Sequence, residues 1–142
     1  MTISTIAYDK AIPAVLQSFM AAHGKICSAD LAPTLRHLIE LRASQINRCA
    51  FCVDMHINAA LKDGEQQSRL NRLVVWRQVD DFSAAEKAAL AWVEALTVLE
   101  TATDYDDLRQ DLREHYSDSE IASITAAVSM INLWNRMQVS NH

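Results

Sequence analysis

Glycine and proline are nearly missing from this chain, two of each in 142 residues. Runs of β-branched residues are short as well, so little in the sequence builds strands or the tight turns between them. Basic clusters are also lacking. Lys and Arg are dispersed and the formal net charge is −5, which leaves no surface suited to nucleic acid. No apolar run approaches the roughly 20 residues that a bilayer-spanning helix requires. The start, Met1-Thr2-Ile3-Ser4-Thr5, lacks the basic-then-apolar order of a signal peptide. Cysteines number three, an odd count that does not suggest the disulfide framework of a secreted protein. These absences predict a cytoplasmic protein that binds neither membrane nor nucleic acid.

What the chain does have is helix-forming material. Half of its residues are apolar, and Ala, Leu, Glu, Gln and Arg abound. The length is that of one domain with a real core. The expectation is a single all-α domain spanning residues 1–142.

The pattern predicts a first helix from Ala11 to about Lys25, with Val15, Leu16, Phe19 and Met20 as its apolar positions. Cys27 falls in the linker that follows and reads as a half-buried small hydrophobe. Asp30 is placed to cap a second helix that has Pro33 in its first turn. Leu35, Leu38, Ile39, Arg42 and Ile46 recur at three- and four-residue spacing, one core face, while His37 and Glu40 lie one turn apart and can face each other. Asn47-Arg48 breaks this helix. A further helix is expected from Glu65 to about Trp76, with Leu70, Leu73 and Val74 inward. Ser83-Ala84-Ala85-Glu86 is a capping box for a helix reaching about Leu99, whose seam is Ala85, Ala89, Trp92, Leu96 and Leu99. Asp104 to His115 forms a shorter charged helix with His115 on the surface. Ser117-Asp118-Ser119-Glu120 is a second capping box. It opens the last helix, whose stripe is Ile121, Ile124, Val128, Ile131 and Trp134. Asn132, Asn135 and Arg136, polar beside that stripe, must find partners in the active site, a neighbouring loop or another subunit.

The chemistry concentrates between the second helix and the one after it, at Cys49-Ala50-Phe51-Cys52-Val53-Asp54-Met55-His56. Intervals of three and four residues put two thiols and an imidazole on one helical face. The run to Lys62 is helix-forming and Gly64 supplies the stop. Cys49 therefore lies at or just before a helix N-terminus, with Cys52 in the first turn. Free N–H groups and the positive dipole end favour thiolate there, and His56 one turn on can accept or supply a proton. The set reads as a redox-active dithiol with a base beside it. Two other readings share the same residues. One is a zinc site completed by Cys27 or another His; the other is a purely structural pair of buried Cys with a satisfied core His. A thioredoxin-type module is disfavoured because no strand precedes the motif.

Leu41-Arg42-Ala43-Ser44-Gln45-Ile46-Asn47-Arg48-Cys49-Ala50-Phe51-Cys52-Val53-Asp54-Met55-His56, followed by Gly64-Glu65, resembles the core of the AhpD-like alkylhydroperoxidases. These belong to the carboxymuconolactone decarboxylase superfamily. Trp76-Arg77, Phe82-Ser83 with Glu86 to Trp92, and Ile131 to Arg136 extend the resemblance over about residues 30–137. It implies an all-α, AhpD-like fold and a homo-oligomer, with a hexamer favoured over a trimer or dimer. It also implies a peroxidase cycle without metal or organic cofactor. Cys52 would attack a small alkyl hydroperoxide and become a sulfenic acid. Cys49 would resolve it to a Cys49–Cys52 disulfide, and His56 would serve the proton relay. A dithiol reductant, lipoylated or thioredoxin-like, would complete the cycle. The alternatives are a disulfide reductase without peroxidase activity, and a non-catalytic metal-binding or interaction protein using the same Cys/His stripe. Decarboxylation is ranked low, since that branch generally lacks the Cys pair.

One position departs from the family pattern. The relay's Glu, twelve residues before the first cysteine, is His37 here, and the nearest acid is Glu40. Either His37 replaces the carboxylate, held by Glu40, or the relay is broken. The position between the cysteines is Phe51, which can shape an apolar pocket but cannot move a proton.

Overall fold

A computed structural model describes residues 3–142, and among them every regular element is helical. The order is α1 (Tyr8–Ala11), α2 (Pro13–Cys27), α3 (Pro33–Ile46), α4 (Ala50–Lys62) and α5 (Gln67–Arg72). A 3-10 segment (Leu73–Gln78) follows, then α6 (Ala84–Thr97), α7 (Tyr105–Arg113) and α8 (Asp118–Val139).

Helix α3 is the axis of the molecule, with α4, α6 and α8 packed around it. Its residues divide by angle into separate seams. Leu35, Ile39 and Ala43 face a core shared with Ala89, Trp92 and Val93 of α6, Leu112 of α7, and Ile124, Val128 and Ile131 of α8. Leu38 and Leu41 face a second core with Ala60, Leu70, Leu73, Trp76, Phe82 and Leu90. His37, Glu40 and Ser44, again at three- and four-residue spacing, form a buried polar seam. A helix covered on several sides is held by packing rather than by propensity. Each fully buried Leu contributes about 1.5–3 kcal/mol.

Both capping boxes form as expected. Ser83 exchanges bonds with Glu86, and Ser117 with Glu120. Asp104 caps α7 through its side chain, and His115 is exposed beyond that helix. Several expectations are corrected. The first helix is displaced to Pro13–Cys27, so Cys27 is its last residue rather than part of a linker, although it is half-buried as expected. Asp30 does not cap α3; Ala32 holds the cap position and Pro33 opens the helix with its fixed φ. The segment after Gly64 tightens into 3-10 geometry and kinks at Val75, which turns Val74 outward, 59 % exposed. Helix α6 ends at Thr97, leaving Leu99 outside the seam and 73 % exposed. Arg42 and Ile46 are half-buried, and Arg42 leaves the core face to pair with Glu94 at 2.9 Å.

Helix α2 contributes no fully buried residue. It lies across α8, where Phe19 meets Trp134 edge-on with ring centroids 6.1 Å apart. The lead into α1 is tied to the end of α8. The Ile6 N–H donates to Asn141 Oδ1 at 2.9 Å, and the Tyr8 and Ser140 hydroxyls are 2.7 Å apart. No helix among the described residues is long and apolar enough to cross a membrane.

Candidate active site

The hairpin between α3 and α4 is closed by backbone geometry. Asn47 ends α3, and Arg48 turns the chain with φ 56, the left-handed region that a side chain other than Gly occupies at a cost. The Cys49 N–H then reaches back to the Ser44 carbonyl at 3.1 Å. Cys49 is the N-cap of α4, and its Sγ accepts the Cys52 N–H at 3.3 Å. The two cysteines are joined as a disulfide, with Cα atoms 5.2 Å apart, and both are buried. The expectation that Cys49 sits at the helix start with Cys52 in its first turn is met.

The polar residues of α8 hold this corner. Asn47 Nδ2 donates to Asn132 Oδ1 at 2.9 Å and to Asn135 Oδ1 at 3.0 Å. Asn135 Nδ2 donates to Ser44 Oγ, and Ser44 Oγ donates to the Glu40 carbonyl at 2.7 Å. Of the three placements open from sequence, the neighbouring loop is the one observed for Asn132 and Asn135, while Arg136 is exposed. One network thus ties α8, the turn before Cys49 and the polar seam of α3.

His56 and Glu40 meet across α3 and α4. His56 Nδ1 is 3.2 Å from Glu40 Oε2, and both side chains are less than one-tenth exposed. An imidazole beside a carboxylate carries its proton on the nitrogen that faces it, which assigns Nδ1–H and leaves Nε2 as an acceptor in the neutral ring. His56 Nε2 is buried and has no partner. Burial pushes the Glu40 carboxyl up, but the His56 hydrogen bond and the charges of His56, Arg36 and His37 outweigh it and hold it below its ordinary value. Arg36 approaches the other oxygen, Oε1, at 3.4 Å.

His37, at the position where the resemblance expects Glu, turns to a different partner. Its Nε2 is 2.6 Å from Asp63 Oδ2, whereas its Nδ1 stands 4.0 Å from Glu40 Oε2. Glu40, one turn closer to the cysteines, is the carboxylate that touches His56. His37 is therefore not held by Glu40 through a hydrogen bond.

A cavity of about 590 Å³ opens on this constellation, within the size range of small-molecule sites. Cys52, His56, Glu40, His37 and Arg36 line one side. Leu16 and Met20 of α2, Phe51 and Met55 of α4, and Ile131 and Trp134 of α8 supply apolar walls. Phe51 shapes the pocket as expected. The structure thus brings together all five candidates, Cys49, Cys52, His56, His37 and Glu40, although Cys49 lies behind Cys52 rather than on the cavity wall. The sequence reading missed Arg36, Asp63 and the contribution of α2. The Arg36–Glu40 spacing of four was a signal for the first; nothing local marked the other two.

The third cysteine bears on the metal reading. Cys27 lies with His23 and Glu40, donor atoms within 4.8 Å of one another. Those atoms are already committed. Trp134 Nε1 donates to His23 Nδ1 at 3.3 Å, which places the His23 proton on Nε2, facing Cys27 Sγ at 3.4 Å. A metal-binding imidazole needs that nitrogen bare and its other N–H on an acceptor. Arg36 beside Glu40 further disfavours a cation, so this donor set does not fit a metal.

A model of the carboxymuconolactone decarboxylase family matches residues 13–95. The uncharacterized protein YdfG of Bacillus subtilis is 33 % identical over 135 residues, covering 95 % of this chain and 92 % of that one. A crystal structure from Agrobacterium tumefaciens, a protein of unknown function described as an AhpD antioxidant defence protein, is similar at TM-score 0.91 and 43 % identity. It covers 97 % of this chain and 95 % of that one. The debrominase Bmp8, solved with 2,3,4-tribromopyrrole, shares the fold at TM-score 0.81 and 19 % identity, over 92 % of this chain and 70 % of its own. With its dithiol at a helix start and these likenesses over nearly its whole length, the chain belongs to the carboxymuconolactone decarboxylase family as an AhpD-like member.

Proposed function

We propose that the protein is a thiol-dependent peroxidase that reduces alkyl hydroperoxides through Cys49 and Cys52. The observation that carries this reading is His56. Glu40 holds one nitrogen, the other is buried without a partner, and the His56 ring lines the same cavity as Cys52. In the reduced protein the Cys52 thiolate attacks the terminal peroxide oxygen. The S–O bond forms, the O–O bond breaks, and the alkoxide leaves with a proton supplied through His56. Cys49 then attacks the sulfenic sulfur, forming the disulfide and releasing water. The peroxide gains two electrons and the dithiol loses two. An external dithiol, lipoylated or thioredoxin-like, restores the pair by exchange. Glu40 orients His56 and stabilises its imidazolium. The mostly apolar walls favour an organic peroxide over hydrogen peroxide. The reading places this chemistry in a cytoplasmic homo-oligomer with no metal or organic cofactor.

The test is rapid mixing of reduced protein with tert-butyl hydroperoxide, followed by thiol counting and peptide mapping. Rapid loss of two thiols, mapped to Cys49–Cys52, is expected. Cys52→Ser abolishes the reaction, while Cys49→Ser leaves a trappable sulfenic acid on Cys52. Oxidation no faster than that of a free thiol rejects the peroxidase. A disulfide that still exchanges rapidly with dithiols would then identify a disulfide reductase.

A further inference from the structure

The peroxidase reading, on which this inference rests, draws one proton from outside the dithiol when Cys52 starts as the thiolate beside a neutral His56. Starting from the Cys52 thiolate and the Cys49 thiol, reduction of one hydroperoxide to alcohol and water with formation of the disulfide consumes one proton. Regenerating thiolate and thiol from the disulfide with an external dithiol returns one. His56 Nε2 is itself buried, so a proton that reaches the ring from solvent passes through the side chains packed around it.

The polar seam of α3 supplies such a path. His56 Nδ1 meets Glu40 Oε2 at 3.2 Å, and the same oxygen faces His37 Nδ1 at 4.0 Å. The far side of the His37 ring meets Asp63 Oδ2 at 2.6 Å. His37 is only 3 % exposed, whereas the Asp63 side chain is 48 % exposed at the end of α4. Two imidazoles and two carboxylates thus alternate from the cavity wall to solvent, each imidazole offering one nitrogen to either side. Three of the four junctions are defined: a buried, bare Nε2 on a ring that lines the cavity, and two hydrogen bonds. The fourth must shorten by about 1 Å to reach hydrogen-bonding range. His37 Nδ1 is buried without a partner, a polar atom that burial normally does not tolerate. It faces the Glu40 oxygen that completes the path. The charged and titratable groups around His37 are Arg36 and Glu40 on its own helix and His56 and Asp63 from α4.

We propose that His37 and Asp63 form a proton port, through which the Glu40–His56 pair exchanges one proton with solvent in each half of the catalytic cycle. Neither residue touches the reacting atoms; both act through Glu40. His37 then stands where the family pattern has a carboxylate because it conducts rather than anchors.

The test uses single-turnover disulfide formation with tert-butyl hydroperoxide in weakly buffered solution, comparing the parent with Asp63→Asn and Asp63→Ala. Both variants are expected to slow by about tenfold, less than the roughly 100-fold contributed by a group acting directly on the substrate. Added imidazole, which delivers protons at the opened port, restores Asp63→Ala to near the parental rate and leaves the parent unchanged. Circular dichroism checks that both variants are folded. Parental rates in both variants would refute the port and leave the peroxidase intact. A slow Asp63→Ala that imidazole does not restore also refutes it, assigning Asp63 to holding the His37 ring. A parent inert to peroxide removes the peroxidase reading and the port together.

Discussion

Glu40→Gln is the most informative single change, because it keeps the shape of the side chain and removes a charge from the point where Arg36, His37 and His56 converge. A hydrogen bond to a charged group contributes roughly 1.5–3 kcal/mol against about 0.5–1.5 for a neutral pair. The loss is greatest when His56 is an imidazolium, the state from which it protonates the leaving alkoxide. A deficit of about 2 kcal/mol at that stage corresponds to roughly 30-fold in rate. The amide also offers two orientations to His56 Nδ1, one of which faces donor to donor and frees the ring to turn. The expected outcome is oxidation of Cys52 slowed by about 30-fold or more, with no recovery on adding imidazole, read by quenched-flow thiol counting. His37→Gln, whose Nδ1 stands 4.0 Å from the carboxylate, slows the same step by about tenfold and only in weak buffer. If His37→Gln is the slower variant in strong buffer, or Glu40→Gln stays within about twofold of the parent, the assignment of Glu40 as the anchor of His56 is wrong.

Asn135→Ala removes a fully buried side chain that bonds both Ser44 and Asn47. The cost is about 2 kcal/mol, a fall of roughly 4–8 °C in melting temperature, and a loss below about 0.5 kcal/mol in denaturant titration would count against the network. Acid should destabilise the fold through Glu40, Glu86 and Glu94. Burial raises each carboxyl, but hydrogen bonds and charges from His56, Arg69 and Arg77 with their neighbours outweigh it and leave all three lowered. Stability from these groups is full above the unfolded-chain value near 4.3 and is lost as pH falls through their lower folded values. Thermal melts that stay flat from about pH 5 to about pH 2.5 would contradict this.

Local signals were legible in the sequence, and distant pairings were not. Ser83 and Ser117 announced their helices because a capping box is complete within four residues. Cys49, Cys52 and His56 marked a candidate site because one helix face carries all three. Asp30 misled because a cap requires a particular backbone entry, and the chain enters α3 through Ala32 and Pro33 instead. Val74 misled because helical periodicity fails where the backbone tightens and kinks at Val75. The choice between His37 and Glu40 depended on where α4 crosses α3. Spacing along α3 does not contain that angle. The His37–Asp63 contact joins residues 26 positions apart, and Asn47 reaches Asn132 across 85. No pattern read along the chain connects them. Cys27 was placed one step too late because the helix before it runs on through Cys27.

The sulfur at the start of α4 has a thermodynamic side as well as a kinetic one. Cys49 Sγ receives the Cys52 N–H at the positive end of the helix, an environment that rewards negative charge on either sulfur. A disulfide carries no such charge, so the reward belongs to the reduced form alone. Whatever the helix end contributes to thiolate is added to the reduction potential of the pair, about 30 mV for each 1.4 kcal/mol. The helix end therefore makes the oxidised protein easier to reset. In the proposed cycle, that shift lets a dithiol donor of correspondingly higher potential reduce the pair.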